Sequence, residues 1–306
     1  MVVKHIDIKH IESFEAPTAL VLGTFDGLHK GHQLLLLEAK KLHGNIAILL
    51  IYTYKEITKE HQKSGVITTL DDRIRMFKEM GVNAVYLLNL GKDLLHLPAE
   101  EFIDKILFAF HPSSVVIGDD FRFGYKAKGT PADLVEIGKS KFHTKVVKPL
   151  FIDNQKISTS LIKEKLLSGD TKAAKEMLGY YYSLTGLVTK GFGLGNKLGF
   201  PTANIALDPN YFLPRHGVYF VGVTFEGQDY FGMASLGYHP TVNEVNLPLL
   251  EVNIFDFDKD IYHKALNVRF IKFLRPEEKL PTLDSLIAKI KEDRANCDRL
   301  IKEGDF

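Results

Sequence analysis

The chain has 306 residues, 45% hydrophobic and 25% charged, with a formal net charge of +1. That length accommodates two ordinary domains with separate cores, and the near-zero charge supplies no field to recruit nucleic acid or a membrane surface. The longest apolar stretch, Ile46 to Tyr54, is too short to span a bilayer, no secretory leader pattern opens the chain, and a lone Cys297 excludes an internal disulfide or a cysteine-based metal site. A cytoplasmic protein is expected, with Cys297 inert in a charged helical tail.

Over residues 1–180 strand and helix patterns alternate. Apolar runs predict strands at Ala19–Phe25, Asn45–Tyr54, Ala84–Leu90, Val115–Asp119 and Thr144–Phe151. Helical periodicity predicts helices at His32–Leu42, Leu70–Met80, Glu100–Phe110 and Pro131–Lys141, with Thr69 ahead of Asp71 and Asp72 as an N-cap. This alternation is that of an α/β domain, a parallel sheet with helices on both faces and its ligand beyond the carboxyl ends of the strands.

The first strand feeds Gly23-Thr24-Phe25-Asp26-Gly27-Leu28-His29-Lys30-Gly31-His32, where a glycine-punctuated turn meets a helix start. Backbone N–H groups, a positive helix end and two imidazoles then surround one point, which suits a phosphate. His29 and His32 can donate to phosphoryl oxygens, and Gly23, Gly27 and Gly31 let the backbone approach closely. A P-loop is excluded because no Gly-x-x-x-x-Gly-Lys is present. The segment resembles the Gly-x-Phe-Asp-Gly-x-His-x-Gly-His signature of nucleotidylyltransferases, which implies transfer of AMP or CMP to a phosphate-bearing substrate with release of pyrophosphate.

Two later segments are candidates for the same site. Gly118-Asp119-Asp120-Phe121-Arg122-Phe123-Gly124 follows a strand; Phe121 or Phe123 could face a planar ring and Arg122 could hold a phosphate. Taken alone, it also reads as a turn with two buried phenylalanines and a surface ion pair. Ser158, Thr159 and Ser160 open a helix with Lys163 one turn on, an arrangement for the outer phosphates of a nucleotide or for plain N-capping.

Near Gly179 the pattern changes. After helical segments Ser160–Ser168 and Thr171–Leu178 come strands at Tyr181–Thr189, Asn204–Leu207, Val218–Phe225, Tyr230–Ser235, Leu250–Phe257 and Ala265–Phe273. With a hairpin turn at Glu226-Gly227-Gln228, this predicts an antiparallel sheet or small barrel, closed by a helix over Leu283–Ile301. The expected domains are 1–180 and 181–306. Residues 191–204 read Gly-Phe-Gly-Leu-Gly-Asn-Lys-Leu-Gly-Phe-Pro-Thr-Ala-Asn; without a βαβ context the glycines are not a dinucleotide fingerprint. They fit a flap over phosphates, while Thr202 and Asn204 place a hydroxyl and an amide oxygen together, suitable for magnesium. Glu251, on the polar face of an alternating strand, could accept a proton from a substrate hydroxyl.

The order of these motifs, with Gly217-Val218-Tyr219, Gly237-x-x-Pro240-Thr241, Glu251-x-x-Ile254-x-Asp256-Phe257 and Phe273-Leu274-Arg275-Pro276-Glu277, resembles the bacterial bifunctional riboflavin kinase/FMN adenylyltransferases over essentially the whole chain. The resemblance implies a Rossmann-like nucleotidylyltransferase domain that converts FMN and ATP to FAD and pyrophosphate. A six-stranded β-barrel that phosphorylates riboflavin with magnesium and ATP would follow it. It implies His29 and His32 at the adenylyl transition state, nucleotide or phosphate contacts from Gly23, Phe25, Asp26, Gly31, Ser158, Thr159, Ser160 and Lys163, and flavin contacts from Asp120, Phe121, Arg122, Phe123 and Arg275. In the barrel it implies Gly191, Gly195, Lys197 and Gly199 at the nucleotide, Thr202 and Asn204 at the metal, and Glu251 as base. Departures from the family pattern fall at Thr53 to Ile57, Lys163, Asn196 and Asn253. They leave open a single-activity homologue with a degenerate adenylyltransferase half, or a flavin-nucleotide sensor.

Overall fold

The computed structural model describes the chain apart from residues 12–13, 15–16, 43, 54–64, 192–198, 239–247, 279 and 305. Gly195, Asn196, Lys197, Pro240, Thr241 and the departures at Tyr54 to Ile57 therefore lie outside the described residues. By its contacts the chain forms two compact units, Met1–Glu56 with Thr68–Thr159 and Ile57–Ile67 with Ser160–Phe306.

In the first unit, strands β1 (Val2–Ile6), β2 (Ala19–Gly23), β3 (Ile46–Tyr52), β4 (Ala84–Asn89), β5 (Ser114–Gly118) and β6 (His143–Val147) form one sheet in the order β1-β4-β3-β2-β5-β6. Every pair is parallel. All seven residues of β3 are buried, the unbroken apolar run of a strand covered on both faces. Leu20, Leu22 and Leu49 enter one core with Phe102, Ile106 and Phe110. Val21, Ile48 and Leu50 enter the other, with Leu36 of helix α1 (Lys30–Lys40) and Phe77 of helix α2 (Leu70–Glu79).

Thr69 caps α2 in a reciprocal capping box with Asp72, and Thr130 does the same with Asp133 for α3 (Pro131–Gly138). The helix expected at Glu100–Phe110 is instead a short α-turn, Ala99–Glu101, widening to a π-helical Phe102–Leu107 and closing in a 3-10 turn. This widening accompanies burial of Phe102, Ile103, Ile106, Leu107 and Phe110. The strand expected over Thr144–Phe151 divides into β6 and β7 (Phe151–Ile152), which pairs with β8 (Gln155–Lys156). Asp153 and Asn154, at φ 48° and 61°, form the two-residue turn between them.

The sheet order carries a consequence for function. From β2 the chain builds outward through β3 and β4, then returns to place β5 on the opposite side of β2. The crevice at the carboxyl ends of β2 and β5 is thus the switch point at which α/β sheets bind ligands. Both motifs singled out in this half, the histidine turn and Gly118 to Gly124, leave the sheet there.

The second unit is a closed antiparallel barrel of β9 (Ser183–Thr189), β10 (Ala203–Leu207), β11 (Gly217–Phe225), β12 (Gln228–Tyr238), β13 (Pro248–Ile254) and β14 (Ala265–Arg275), in the order β10-β13-β12-β11-β14-β9. Phe225 pairs with Gln228, so Glu226 and Gly227, both at positive φ, form the expected hairpin turn. Tyr219, Val221, Val223, Val252, Val268 and Phe270 are buried, as the inward members of alternating strands. On β11 the alternate residues Val218 and Phe220 join Met233, Ile271, Cys297 and Leu300, packing the outside of the barrel against the C-terminal helix. Burial pushes the Cys297 thiol up to about 12, which leaves it unreactive at neutral pH.

Helices α4 (Thr159–Ser168) and α5 (Thr171–Leu178) go with the barrel almost entirely, whereas the domain border was expected near residue 180. The Thr171 hydroxyl donates to the Ile271 carbonyl at 2.8 Å, and the Arg215 N–H donates to the Leu166 carbonyl at 2.9 Å.

The C-terminal helix α6 (Leu283–Glu303) is held by one buried ion pair. Arg275 donates from Nε and Nη2 to the carboxylate of Asp293 at 3.0 and 2.7 Å, with the Asp293 side chain only 4% exposed. Removing one partner strands the other charge, so Asp293→Ala should destabilise the barrel by about 3–5 kcal/mol in urea or thermal unfolding.

Candidate active sites

The turn after β2 is built around His29. As N-cap of α1, it accepts the His32 backbone N–H on Nδ1 at 3.4 Å. A neutral imidazole that accepts on Nδ1 carries its proton on Nε2, so His29 offers an N–H donor from its other edge. The His29 and His32 rings stack with centroids 3.7 Å apart and planes 17° from parallel. Gly31 makes room, since a Cβ there would lie 3.1 Å from the His29 ring.

Both imidazoles are neutral at physiological pH. Burial lowers His29 to about 4 against the opposing pull of Asp120. His32 lies well below its ordinary value through burial, then through His29 and the charge of Arg73. Two neutral N–H donors at a helix N-terminus can stabilise growing phosphoryl charge without repelling one another across the stack.

Phe25 and Asp26, expected at the nucleotide, have structural partners here. Phe25 is fully buried at φ 53°, its ring 5.2 Å from that of His32 and 5.3 Å from that of Phe77. A Cβ on Gly23 would come within 3.1 Å of the Phe25 ring, which explains that glycine. Asp26 accepts the Thr68 N–H on Oδ1 at 3.1 Å, and its carbonyl accepts the Thr159 hydroxyl at 3.1 Å. The Thr68 hydroxyl in turn accepts the Gly27 N–H at 2.8 Å.

Of the segment after β5, Phe123 is buried in the core and Phe121 is the more accessible ring. Arg122 is exposed, donating to the carbonyl of Phe121 at 2.8 Å. Asp120 takes an ion pair from Lys156 at 2.8 Å, with Asp119 at 3.7 Å from the same ammonium. Ser158 is partly buried and Ser160 exposed at the start of α4. Lys163, expected at phosphates, donates to the Gly65 carbonyl and lies 5.3 Å over the Phe212 ring, both within the second unit.

On the barrel the second set of residues converges. Asn204 of β10 stands opposite Glu251 of β13, which stands opposite Ser235 of β12, while Thr189 of β9 faces Asn204 from the other side. Directly paired residues share a face, so an amide, a carboxylate and two hydroxyls form one row across four strands. A Cβ on Gly191 would meet Asn204 Nδ2 at 2.0 Å, so that glycine leaves the space the amide fills. Asn253, the departure from histidine, is buried and donates to the Pro201 carbonyl at 2.7 Å, anchoring the residue before Thr202. Thr202 is exposed, and Gly199 is at φ 80° in open space. Arg275, expected at the flavin, has its fork engaged by Asp293.

Sequence reasoning missed Thr68, Asp293 and above all Arg73. The one cue to Arg73 was its place in the first turn of a capped helix, a position where cations are not favoured.

A histidine-bearing turn at the switch point of a parallel sheet, followed by a barrel bearing a transverse polar row, is a two-module arrangement suited to group transfer. The family model for FAD synthetase matches residues 11–161, and that for riboflavin kinase matches residues 178–301. A bifunctional riboflavin kinase/FMN adenylyltransferase of Listeria monocytogenes is 32% identical, covering 90% of this chain and 89% of that one. That of Bacillus subtilis is 30% identical, covering 96% of each. The crystal structure of a macrolide-efflux protein from Streptococcus pneumoniae superposes with a TM-score of 0.86 at 31% identity, covering 96% of this chain and 98% of that one. No described helix of the present chain is long and apolar enough to cross a membrane. The chain belongs to the bifunctional riboflavin kinase/FMN adenylyltransferase family.

Proposed function

We propose that this chain phosphorylates riboflavin to FMN with ATP and joins FMN to AMP to give FAD and pyrophosphate, the first in domain 181–306 and the second in domain 1–180. The observation that carries the reading is that each unit holds its own assembled set of polar groups, one at the switch point of the sheet and one on the barrel. In the first, the FMN phosphate attacks the α-phosphorus of ATP and pyrophosphate leaves, with His29 Nε2–H and His32 donating to the phosphoryl oxygens. Asp120, Phe121 and Arg122 would meet the flavin nucleotide. In the second, Glu251 takes the proton of the terminal ribityl hydroxyl as that oxygen attacks the γ-phosphorus and ADP leaves.

The hydroxyl, amide oxygen and carboxylate of Thr202, Asn204 and Glu251 are hard oxygen donors of the kind magnesium takes, and no cluster of three or more His, Cys, Asp or Glu suited to another metal occurs among the described residues. Thr202 and Asn204 would hold the ion, which when bound neutralises charge on the transferring phosphates. Substituting Gly191→Ala displaces the Asn204 amide. We expect riboflavin phosphorylation to fall by about 10²-fold, with an unfolding temperature close to that of the parent.

Product analysis tests the whole reading: purified protein with riboflavin, ATP and magnesium in one arm and with FMN in the other, each repeated with reduced flavin. FMN and then FAD support both activities. FMN alone leaves a working kinase beside a decayed adenylyltransferase, and tight flavin binding without product overturns the enzymatic reading in favour of a sensor. A cytoplasmic location, and partners limited to riboflavin, FMN, FAD and ATP without nucleic acid or membrane, complete the proposal.

A further inference from the structure

Among the described residues Arg73 is the one arginine or lysine that is buried, only 6% exposed. A guanidinium is costly to bury unless hydrogen bonds replace its water. Arg73 donates from Nη1 to the Thr24 carbonyl at 2.6 Å and from Nε to the Thr69 carbonyl at 3.3 Å. Thr24 immediately precedes Phe25, which holds a left-handed φ of 53° that a bulky residue keeps only when its surroundings impose it. The Phe25 ring faces that of His32 at 5.2 Å. His32 Nδ1, for its part, is buried with no hydrogen-bond partner among the described residues. The arginine, the strained peptide, the phenylalanine ring and the histidine form one continuous chain of contacts.

We propose that Arg73 is a positioning residue for adenylyl transfer: its buried guanidinium clamps the Thr24 carbonyl and, through Phe25, sets the His32 ring against the phosphate site. The inference rests on the adenylyl-transfer reading of the first unit. A second consequence follows from charge. A fixed cation in a dry pocket opposes a second positive charge on His32, and the stacked His29 opposes it too. Other charged groups are placed differently: Asp26 and Asp72 act on Arg73, Asp120 acts on His29, and Lys156 is paired to Asp120. Arg73 thereby keeps His32 a neutral donor to lower pH than its burial alone would.

The test compares the full chain with Arg73→Met and Arg73→Lys, measuring FAD formation from FMN and ATP from about pH 3 to 8, a span that includes the parental acid limb. FMN formation from riboflavin in the same samples reports whether the protein is intact. For Arg73→Met we expect kcat for FAD formation to fall by about 10²-fold with little change in the KM for ATP, and the acid limb of the profile to move toward neutrality. Arg73→Lys keeps the charge but lacks a fork for both carbonyls, so its rate should fall while its acid limb stays at the parent position. Should Arg73→Met fail to fold, the lysine variant decides alone: a parental rate there overturns the proposal. So do equal losses of both activities, or a slowed methionine variant whose acid limb has not moved. Absence of FAD formation by the parent protein is a separate result, which overturns the adenylyl-transfer reading instead.

Discussion

Glu251→Gln should lower FMN formation from riboflavin by about 10²–10⁴-fold while FAD formation from supplied FMN continues at the parental rate. Glutamine keeps the shape and one acceptor oxygen but has no basicity. Glu251 sits between Asn204 and Ser235 in the transverse row, so strand register fixes its place and the face it occupies. Flavin binding should survive, because the substitution removes no volume. Parental turnover in the variant would sink the kinase assignment. Loss of both activities together would instead point to a folding defect.

The second large effect concerns the stacked histidines. His32→Ala should reduce FAD formation from FMN by about 10²–10³-fold, the loss typical of one preorganised donor at a developing oxyanion. Because both rings are neutral well below pH 6, the parental profile should stay flat from pH 8 to about 5 and fall as His29 takes up a proton near 4. The same shift bears on stability. An unfolded histidine binds its proton near 6.5 and the folded His29 only near 4, so the unfolded chain gains protons first as pH falls. Stability is therefore complete above 6.5 and declines toward 4, with His29 accounting for about 3 kcal/mol. His29→Asn retains an N-capping oxygen and should remove that part of the acid sensitivity. A rate that instead falls as pH rises through about 6.5 would show that the imidazoles work as cations.

Most of the sheet and barrel could be read from sequence because their strands are apolar over their whole length, as at Ile46–Tyr52, or alternate cleanly, as at Pro248–Ile254. β1 was invisible for the converse reason: Val2–Ile6 is an edge strand with four exposed residues, and its pairing with β4 is a purely tertiary fact. The π-helical stretch Phe102–Leu107 was read as a regular helix, since apolar spacing does not encode the width of a helical turn. Lys163 and Arg275 carry the charge expected for phosphate and flavin, and their protein partners, the Gly65 carbonyl and the Asp293 carboxylate, are tertiary facts that the sequence does not announce. Arg73 and Asp293 were not singled out, because the sequence around a helix says little about which of its faces will be covered.

The segment Ile57–Ile67 belongs with the barrel although the chain on either side of it belongs with the sheet. Within the barrel unit Val66 bridges Tyr211, with its N–H on the Asn210 carbonyl at 2.8 Å, and Gly65 receives the Lys163 ammonium. The two activities consequently do not come apart at a single peptide bond. A fragment starting at Ser160 would lack Gly65 and Val66, which lie against Tyr211 and Phe212, and its complement would keep them without their partners. Gene fission of such an enzyme, or its dissection in the laboratory, has to carry Gly65 and Val66 across with the barrel or replace the contacts they make there.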